Sequence, residues 1–236
     1  MKTHTTTWTI SAMCSETHDT KTIFLEPLHE KLSYNAGQYL TVLLSGFEPA
    51  EGKSYSISSA PHDTYVSLTI KSLGKFSNAI LSHKIGDTIT TSTPYGFFYP
   101  DPSQIRPRAL LAGGIGITPC FSIIRDALHQ NFPMPLHLFY SNKTESDIIF
   151  KKNLEVLSAA HPRLHVHQHI TREIAAQPPA TQGHITKKHI TTALEDTDID
   201  DTDFFICGSI SFTKDMWLVL KSIGVSQASI YTEGFF

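Results

Sequence analysis

The sequence predicts two domains in tandem, an antiparallel β-barrel followed by an α/β domain on a parallel sheet. Three observations predict it. Apolar residues alternate with period two as far as about Tyr99, and beyond it short apolar runs alternate with helical spacing. A proline-punctuated stretch, residues 101–107, separates the two patterns. At 236 residues the chain is longer than the roughly 150 of one ordinary domain, with room for two compact units.

In the first half Trp8, Ile10 and Ala12 are expected to share one strand face, as are Leu40, Val42 and Leu44 after Gly37. Val66, Leu68 and Ile70 repeat the pattern, with Ser67, Thr69 and Lys71 opposite. Turn residues break the runs at Pro27, Asn35-Ala36-Gly37, 49–52, Pro61-His62-Asp63, Gly86-Asp87 and Pro94. Short strands with little helical spacing between them fit a small antiparallel barrel. The exception is a short helix expected over 77–83, after Gly74.

The second half opens with the apolar run Ala109-Leu110-Leu111-Ala112, which meets Gly113-Gly114-Ile115-Gly116. Thr118 reads as the N-cap of the next helix and Pro119 as its first residue, with Phe121, Ile124 and Leu128 at helical spacing. A strand follows over 136–140, and Thr144-Glu145-Ser146-Asp147 resembles a capping-box helix start leading to Ile148, Leu154 and Leu157. Residues 164–170 read as a strand, and Thr186 opens another helix. Phe204-Phe205-Ile206-Cys207 is an unbroken apolar strand, followed by a helix through Met216, Leu220 and Ile223 and a last strand over 228–231. Near-continuous apolar strands alternating with helices predict a parallel sheet covered on both faces.

Composition excludes several classes. Hydrophobic residues at 40% and charged residues at 17% are ordinary for a folded protein, which argues against disorder. Nineteen Lys and Arg against 22 Asp and Glu leave a formal net charge of −3, so there is no basic field for nucleic acid. No apolar run approaches the roughly 20 residues of a membrane span, and the polar first residues do not read as a signal peptide. Cys14, Cys120 and Cys207 stand far apart, a poor basis for a disulfide framework, a zinc site or an iron–sulfur cluster. A cytoplasmic protein is expected.

Four local features carry chemistry. Gly113-Gly114-Ile115-Gly116-Ile117-Thr118-Pro119 sits where a strand ends and a helix begins. Glycines let a ligand approach the backbone there, and the helix start offers free N–H groups to a phosphate. The plain alternative is a turn that merely needs glycine, and the spacing is not the G-x-G-x-x-G signature. Lys53-Ser54-Tyr55-Ser56-Ile57-Ser58-Ser59 reads by itself as a polar strand. Lys71-Ser72-Leu73-Gly74-Lys75-Phe76-Ser77 is a second strand–glycine–helix junction and a candidate anion site. Ile206-Cys207-Gly208-Ser209 ends a strand, where Cys207 could equally be a small core residue.

In this order and spacing the four features resemble the ferredoxin–NADP reductase superfamily. Gly37-Gln38-Tyr39 and Thr93-Pro94-Tyr95-Gly96-Phe97-Phe98 add to the resemblance, which covers essentially the whole chain. The stretch 140–150 looks most like the stand-alone flavodoxin/ferredoxin reductase branch. The resemblance implies an N-terminal antiparallel Greek-key β-barrel that binds FAD over 1–103 and a C-terminal α/β parallel-sheet nucleotide-binding domain over 104–236. It implies an enzyme that takes hydride from NAD(P)H onto flavin N5 and passes electrons to a separate acceptor.

Residue roles follow as implications of that resemblance. Tyr55 would lie against the flavin ring, and Ser56 would hydrogen-bond its N5 edge. Lys53, with Ser54 in the same motif, stands where the family has arginine, keeping the charge but losing the bidentate fork, so FAD would be held more loosely. Thr69, Ile70 and Lys71 would line the flavin or its ribityl chain, and Gly74, Phe76 and Ser77 its pyrophosphate. Gly114, Gly116 and Thr118 would receive the pyrophosphate of the nicotinamide nucleotide. Cys207, followed by Gly208, would sit near nicotinamide C4, Glu233 would place a carboxylate by the flavin, and Phe235 or Phe236 would cover the ring. Ser56, Cys207 and Glu233 are thus the candidate catalytic residues.

Thr171 and Arg172 could meet a 2′-phosphate, which favours NADPH over NADH, although Glu145, Asp147 and Glu173 nearby oppose it. His165, His167 and His169 share a strand face, read as solvated rather than as a metal site; no metal is expected. A fused iron–sulfur or heme domain is not expected, so the acceptor is a ferredoxin, a flavodoxin, an oxygenase component, free flavin or a ferric chelate. The alternatives are an NAD(P)H:flavin or ferric reductase, or a flavin-binding electron-transfer subunit without its own turnover.

Overall fold

A computed structural model of the chain describes residues 5–28, 32–174 and 180–235. The first half forms six antiparallel strands: β1 (Thr5–Ser15), β2 (Thr20–Pro27), β3 (Tyr39–Leu43), β4 (Lys53–Ser56), β5 (Val66–Lys71) and β6 (Thr88–Ser92). Their order is β4-β3-β6-β1-β2-β5, with β6 inserted between β3 and β1 as a Greek key requires. A bridge from Ile57 to Leu68 and a bond from the Ser58 N–H to the Ser67 carbonyl join the two edge strands and close the barrel. Its core gathers Trp8, Ile10, Leu40, Val42, Leu68 and Ile70. The short helix α1 spans Lys75–Leu81, two residues earlier than its spacing predicts.

Ala12 departs from the expected alternation. A bulge shifts the register of β1 against β2 between Ile10 and Ala12, which leaves Ala12 exposed and turns Met13 toward the core. Ser67 and Thr69 depart too, because both are buried. The Ser67 hydroxyl bonds Ser58 Oγ at 2.8 Å, and Thr69 Oγ1 bonds Ser58 Oγ at 2.9 Å and Thr22 Oγ1 at 2.8 Å. A closed hydroxyl network allows polar residues on a face that alternation would assign to solvent.

The second half is a six-stranded parallel sheet. Its strands are β7 (Arg108–Gly113), β8 (Leu136–Asn142), β9 (Leu164–Ile170), β10 (Thr181–Gln182), β11 (Asp203–Ser209) and β12 (Ile230–Phe235), in the order β10-β9-β8-β7-β11-β12. The helices are α2 (Ile117–His129), α3 (Lys151–Ala160), α4 (Lys187–Ala193) and α5 (Ile210–Ser222). The α2 and α3 residues pack into one apolar cluster, those of α4 and α5 into another across the sheet. Strand order reverses between β7 and β11, which opens a crevice at their carboxyl ends.

Three local expectations are corrected. Thr118 is not the N-cap: Gly114–Gly116 forms a 3₁₀ turn, and α2 starts at Ile117, so Thr118 and Pro119 lie inside the first turn. Thr118 Oγ1 instead donates to the Ile115 carbonyl at 3.1 Å. The Thr144–Asp147 capping box caps only a 3₁₀ turn over Glu145–Asp147. Phe150, at φ 60°, breaks the chain before α3, its ring stacked on Phe121 at 4.1 Å. The last strand starts at Ile230, after a 3₁₀ turn over Gln227–Ser229.

The two halves share apolar packing. Ala36 and Phe98 of the barrel half belong to the cluster around α2, and Phe98 meets Phe205 edge to face at 5.5 Å.

Candidate functional site

The crevice between β7 and β11 is built by close backbone approach. A Cβ on Gly116 would lie 2.1 Å from the Cys207 carbonyl oxygen, so only glycine lets the turn after β7 reach the end of β11. A Cβ on Gly208 would lie 2.7 Å from Cδ1 of the Phe212 ring. Gly114 differs: its φ of +53° calls for glycine, yet a Cβ there would meet nothing within 4 Å, leaving open space beside the turn. Its carbonyl accepts from the Tyr140 hydroxyl at 3.1 Å, which anchors the turn to β8.

Glu233 stands beside Cys207 in the parallel register of β12 and β11. Ser56, at the end of β4, donates its hydroxyl to Glu233 Oε1 at 3.2 Å. The two residues are 177 positions apart and come from different halves, so this bond sets the barrel motif against the strand ends of the α/β sheet. Burial pushes the Glu233 carboxyl up to about 7, against the opposing pull of the Ser56 hydroxyl. At neutral pH Glu233 therefore exchanges readily between neutral and charged forms. Cys207 is fully buried, and burial, reinforced by Cys120 and Glu233, holds its thiol well above the usual value. It is a neutral, inert wall rather than a nucleophile.

On the barrel side Lys53 and Ser54 are exposed and Tyr55 is half-buried. Burial raises the Tyr55 phenol to about 12, so it stays neutral. The Lys53 ammonium stands 5.8 Å from the centre of the Phe76 ring, which brings β4 to the start of α1. Ser77 Oγ accepts from the N–H groups of Leu73 and Gly74 at 2.9 and 3.1 Å, shaping the junction before α1. Phe76 itself is core. A Cβ at Gly74 would meet nothing within 4 Å.

Other named residues are placed differently. Ile70 is buried in the barrel core and Thr69, on the other face of β5, in the hydroxyl network. Lys71 Nζ is 3.1 Å from Asp19 Oδ2. Thr171 and Arg172 do lie at the carboxyl edge, where their N–H groups donate to the carbonyls of Asn142 and Lys143 at 3.0 and 2.8 Å. Arg172 is exposed, and neighbouring Glu173 accepts from the Glu145 N–H. Phe235 continues β12 opposite Ser209 and packs against the α2 cluster; Phe236 lies outside the described residues.

The histidine face is corrected as well. His169 is 2% exposed and His137, on β8, 6%. His137 stacks on His165 at 4.7 Å, and His137 Nδ1 lies 3.4 Å from His167 Nε2. Along this face His165 is exposed, as expected, His167 is half-buried and His169 is buried, and among the described residues no group of three or more His, Cys, Asp or Glu can hold a metal.

Sequence reasoning missed three residues at this site. Asn142 ends β8 at 5% exposure with neither polar atom of its amide paired. Tyr39, opposite Ser56 in the β3–β4 register, has its phenol raised by burial and by Glu233. Tyr140 holds the glycine turn. The position of Asn142 at a strand's carboxyl end was the available signal; both tyrosines lie in stretches that carry the resemblance, Gly37-Gln38-Tyr39 and 140–150, but neither stretch gave them a role.

The residues present fit two nucleotide cofactors. Open room at Gly114 and the orphaned Asn142 amide suit a nucleotide at the crevice, and Lys53, Tyr55 and the open Gly74 junction suit a second along the barrel.

Comparison with known proteins agrees. The oxidoreductase FAD-binding domain family matches residues 8–99, and the oxidoreductase NAD-binding domain family matches 110–217. The chain is 27% identical, over 97% of its length, to the ferredoxin–NAD(P)(+) reductase component of the naphthalene 1,2-dioxygenase system of Pseudomonas putida, 68% of which it covers. It is 29% identical, over 96% of its length, to the ferredoxin reductase component of 3-ketosteroid-9-alpha-monooxygenase from Rhodococcus rhodochrous, 64% of which it covers. The chain thus spans about two thirds of these relatives. The FAD/NAD-binding domain of nitric oxide dioxygenase from Vibrio cholerae superposes with a TM-score of 0.85 at 24% identity, covering 98% of each chain. A ferredoxin NADP+ reductase from Neisseria gonorrhoeae gives 0.81 at 22%, covering 98% of this chain and 99% of the other. With an FAD-binding barrel and an NAD-binding α/β half joined at one crevice, the chain belongs to the ferredoxin–NADP reductase superfamily of oxidoreductases.

Proposed function

We propose that the chain is an FAD-dependent NAD(P)H oxidoreductase that passes electrons to a separate protein, a ferredoxin, flavodoxin or oxygenase component, in the cytoplasm. The observation that carries it is the Ser56–Glu233 bond, which joins the flavin-side motif to the strand end bearing Cys207. When bound, the nicotinamide supplies a hydride from C4 and the flavin accepts it at N5, leaving electrons to be passed on singly. Ser56 and Glu233 hold a hydroxyl and a titrating carboxyl at the meeting point. Tyr55 gives a flat half-buried face and Lys53 a charge over the α1 junction. Gly114, Gly116 and the first turn of α2 receive phosphate, and Gly208 keeps the crevice open. Cys207 walls the crevice and keeps water out.

Thr171 and Arg172, with an exposed guanidinium at the carboxyl edge, favour NADPH over NADH in this reading. The printed names of the curated relatives, reductase components of oxygenase systems, support a protein acceptor. A second reading, reduction of free flavin or a ferric chelate, is favoured by Lys53, which cannot grip a pyrophosphate with two parallel bonds.

Stopped-flow reduction of the FAD-loaded protein by NADH and NADPH in parallel tests the proposal. The expected result is a yellow protein that bleaches faster with NADPH. Tyr55→Ala and Ser56→Ala should each lower flavin retention or the bleaching rate about tenfold or more. A colourless protein that neither binds FAD nor oxidises either nucleotide would overturn it. Faster turnover on free flavin than on any carrier protein would select the second reading.

A further inference from the structure

Ser56 begins a stretch that is tied to the nucleotide half a second time. Three residues on, the Ser59 carbonyl accepts from the Ser122 hydroxyl of α2 at 2.5 Å, with both residues fully buried. Arg125 follows Ser122 by one helical turn. Its guanidinium grips Asp63 with two parallel bonds, Nη1 to Oδ2 at 2.5 Å and Nη2 to Oδ1 at 2.9 Å. Asp63 Oδ2 also accepts from the Ala60 N–H at 2.8 Å, so the carboxylate shapes its own turn while it is gripped. His62 stacks on His129, the next α2 residue on that face, at 3.7 Å.

The two ends of this clasp are close to the chemistry. On one side, the fixed segment 59–63 begins three residues after Ser56, and the Ser59 hydroxyl is itself held by Tyr34 and the Ser67 N–H, each at 2.9 Å. On the other side, Ser122 and Arg125 stand on the helix that opens directly from the Gly114–Gly116 turn, about 9 and about 14 Å along its axis from that turn. A helix does not stretch, so holding Ser122 and Arg125 holds the turn.

We infer that the Asp63–Arg125 ion pair and the Ser122–Ser59 bond are positioning residues that set the nucleotide turn at a fixed distance from Ser56, and so set the donor–acceptor geometry for hydride transfer. The inference rests on the NAD(P)H-to-flavin reading above. Bidentate geometry matters because two parallel bonds fix orientation as well as distance. A misplacement of about 1 Å between reacting groups costs on the order of a hundredfold in rate. None of the four residues needs to touch substrate.

Asp63→Asn keeps the shape and Arg125→Lys keeps the charge, and each loses the fork. In FAD-loaded protein at saturating NAD(P)H, the flavin-reduction rate should fall about 10- to 100-fold. The dissociation constant of the nucleotide should change less than threefold, and the flavin spectrum should be unchanged. The Asp63→Asn/Arg125→Lys double variant should be no slower than the worse single one, and the exchange Asp63→Arg with Arg125→Asp should recover part of the rate. Without any cofactor, hydrogen exchange should quicken together at 57–63 and 113–122 in the single variants, and stay unchanged in the β8–β9 pair. An unchanged reduction rate beside a lowered melting temperature would overturn the inference, leaving a purely structural ion pair. So would nucleotide affinity falling in step with rate. If Asp63→Asn does not fold, Ser122→Ala, which keeps the ion pair, decides: an unchanged rate there overturns the inference. A wild-type protein that binds no FAD and oxidises no nucleotide refutes the functional reading instead, a distinct outcome.

Discussion

Glu233 concentrates the chemistry of the site in one titrating group. Burial raises its carboxyl to about 7, so folding favours the proton. The stabilising effect of that proton is full below the unfolded value near 4.5 and is lost as pH rises through about 7. Glu233→Gln, permanently neutral, should therefore gain stability relative to the wild type as pH rises from 5 to 8, by about 2 kcal/mol. Urea denaturation at the two pH values measures it; an equal difference at both would exclude a buried titrating carboxyl. Gly116 makes a steric prediction. A Cβ 2.1 Å from the Cys207 carbonyl forces backbone movement, so Gly116→Ala should cost about 2–4 kcal/mol in chemical denaturation. Gly114→Ala, in open space, should cost only about 1 kcal/mol for its positive φ. The motif Gly113 to Pro119 was legible in the sequence because glycine, threonine and proline each carry a backbone meaning. Which glycine is a contact and which is an opening was not, because that depends on what the fold brings opposite.

At the scale of elements, strands and helices were legible where period was strong, and errors sit where packing overrides local preference. Thr118 is a good cap by type, yet a 3₁₀ turn starts the helix earlier because Gly114 can take positive φ. The Thr144 box is genuine but ends after one turn, because Ile148 already takes an extended conformation and the left-handed Phe150 precedes α3. The β9 histidines look solvated by pattern, which holds for His165, whereas His169 and its β8 neighbour His137 are buried. Burial, joined by its histidine neighbours, lowers His137 to about 4, and burial lowers His169 likewise to about 4. A histidine depressed in the fold stabilises above its unfolded value near 6.5 and loses that contribution as pH falls toward 4. Stability should accordingly drop between pH 6.5 and 4, and His137→Phe should flatten that drop while keeping the ring stack with His165. Melting curves across that range check it, and an unaltered slope in the variant would place the acid sensitivity elsewhere.

At the scale of the molecule, the two halves are held by apolar packing at Phe98, by the Asp63–Arg125 pair, by the Ser56–Glu233 bond and by the Phe150 N–H donating to Glu16 Oε2 at 3.3 Å. Every one of these joins residues more than 60 positions apart, and sequence spacing carries no trace of such pairs. The sequence by itself determined the fold class, an antiparallel barrel followed by a parallel α/β half. It could do so because period, glycine and proline act locally. Only the tertiary structure decided that Glu233 is half-buried against Ser56, that Thr69 and Ile70 are both buried on opposite faces of their strand, that Lys71 pairs with Asp19, and that α2 is clasped to the barrel. Those outcomes are set by desolvation and close contact between distant segments, which exist only once the chain has folded.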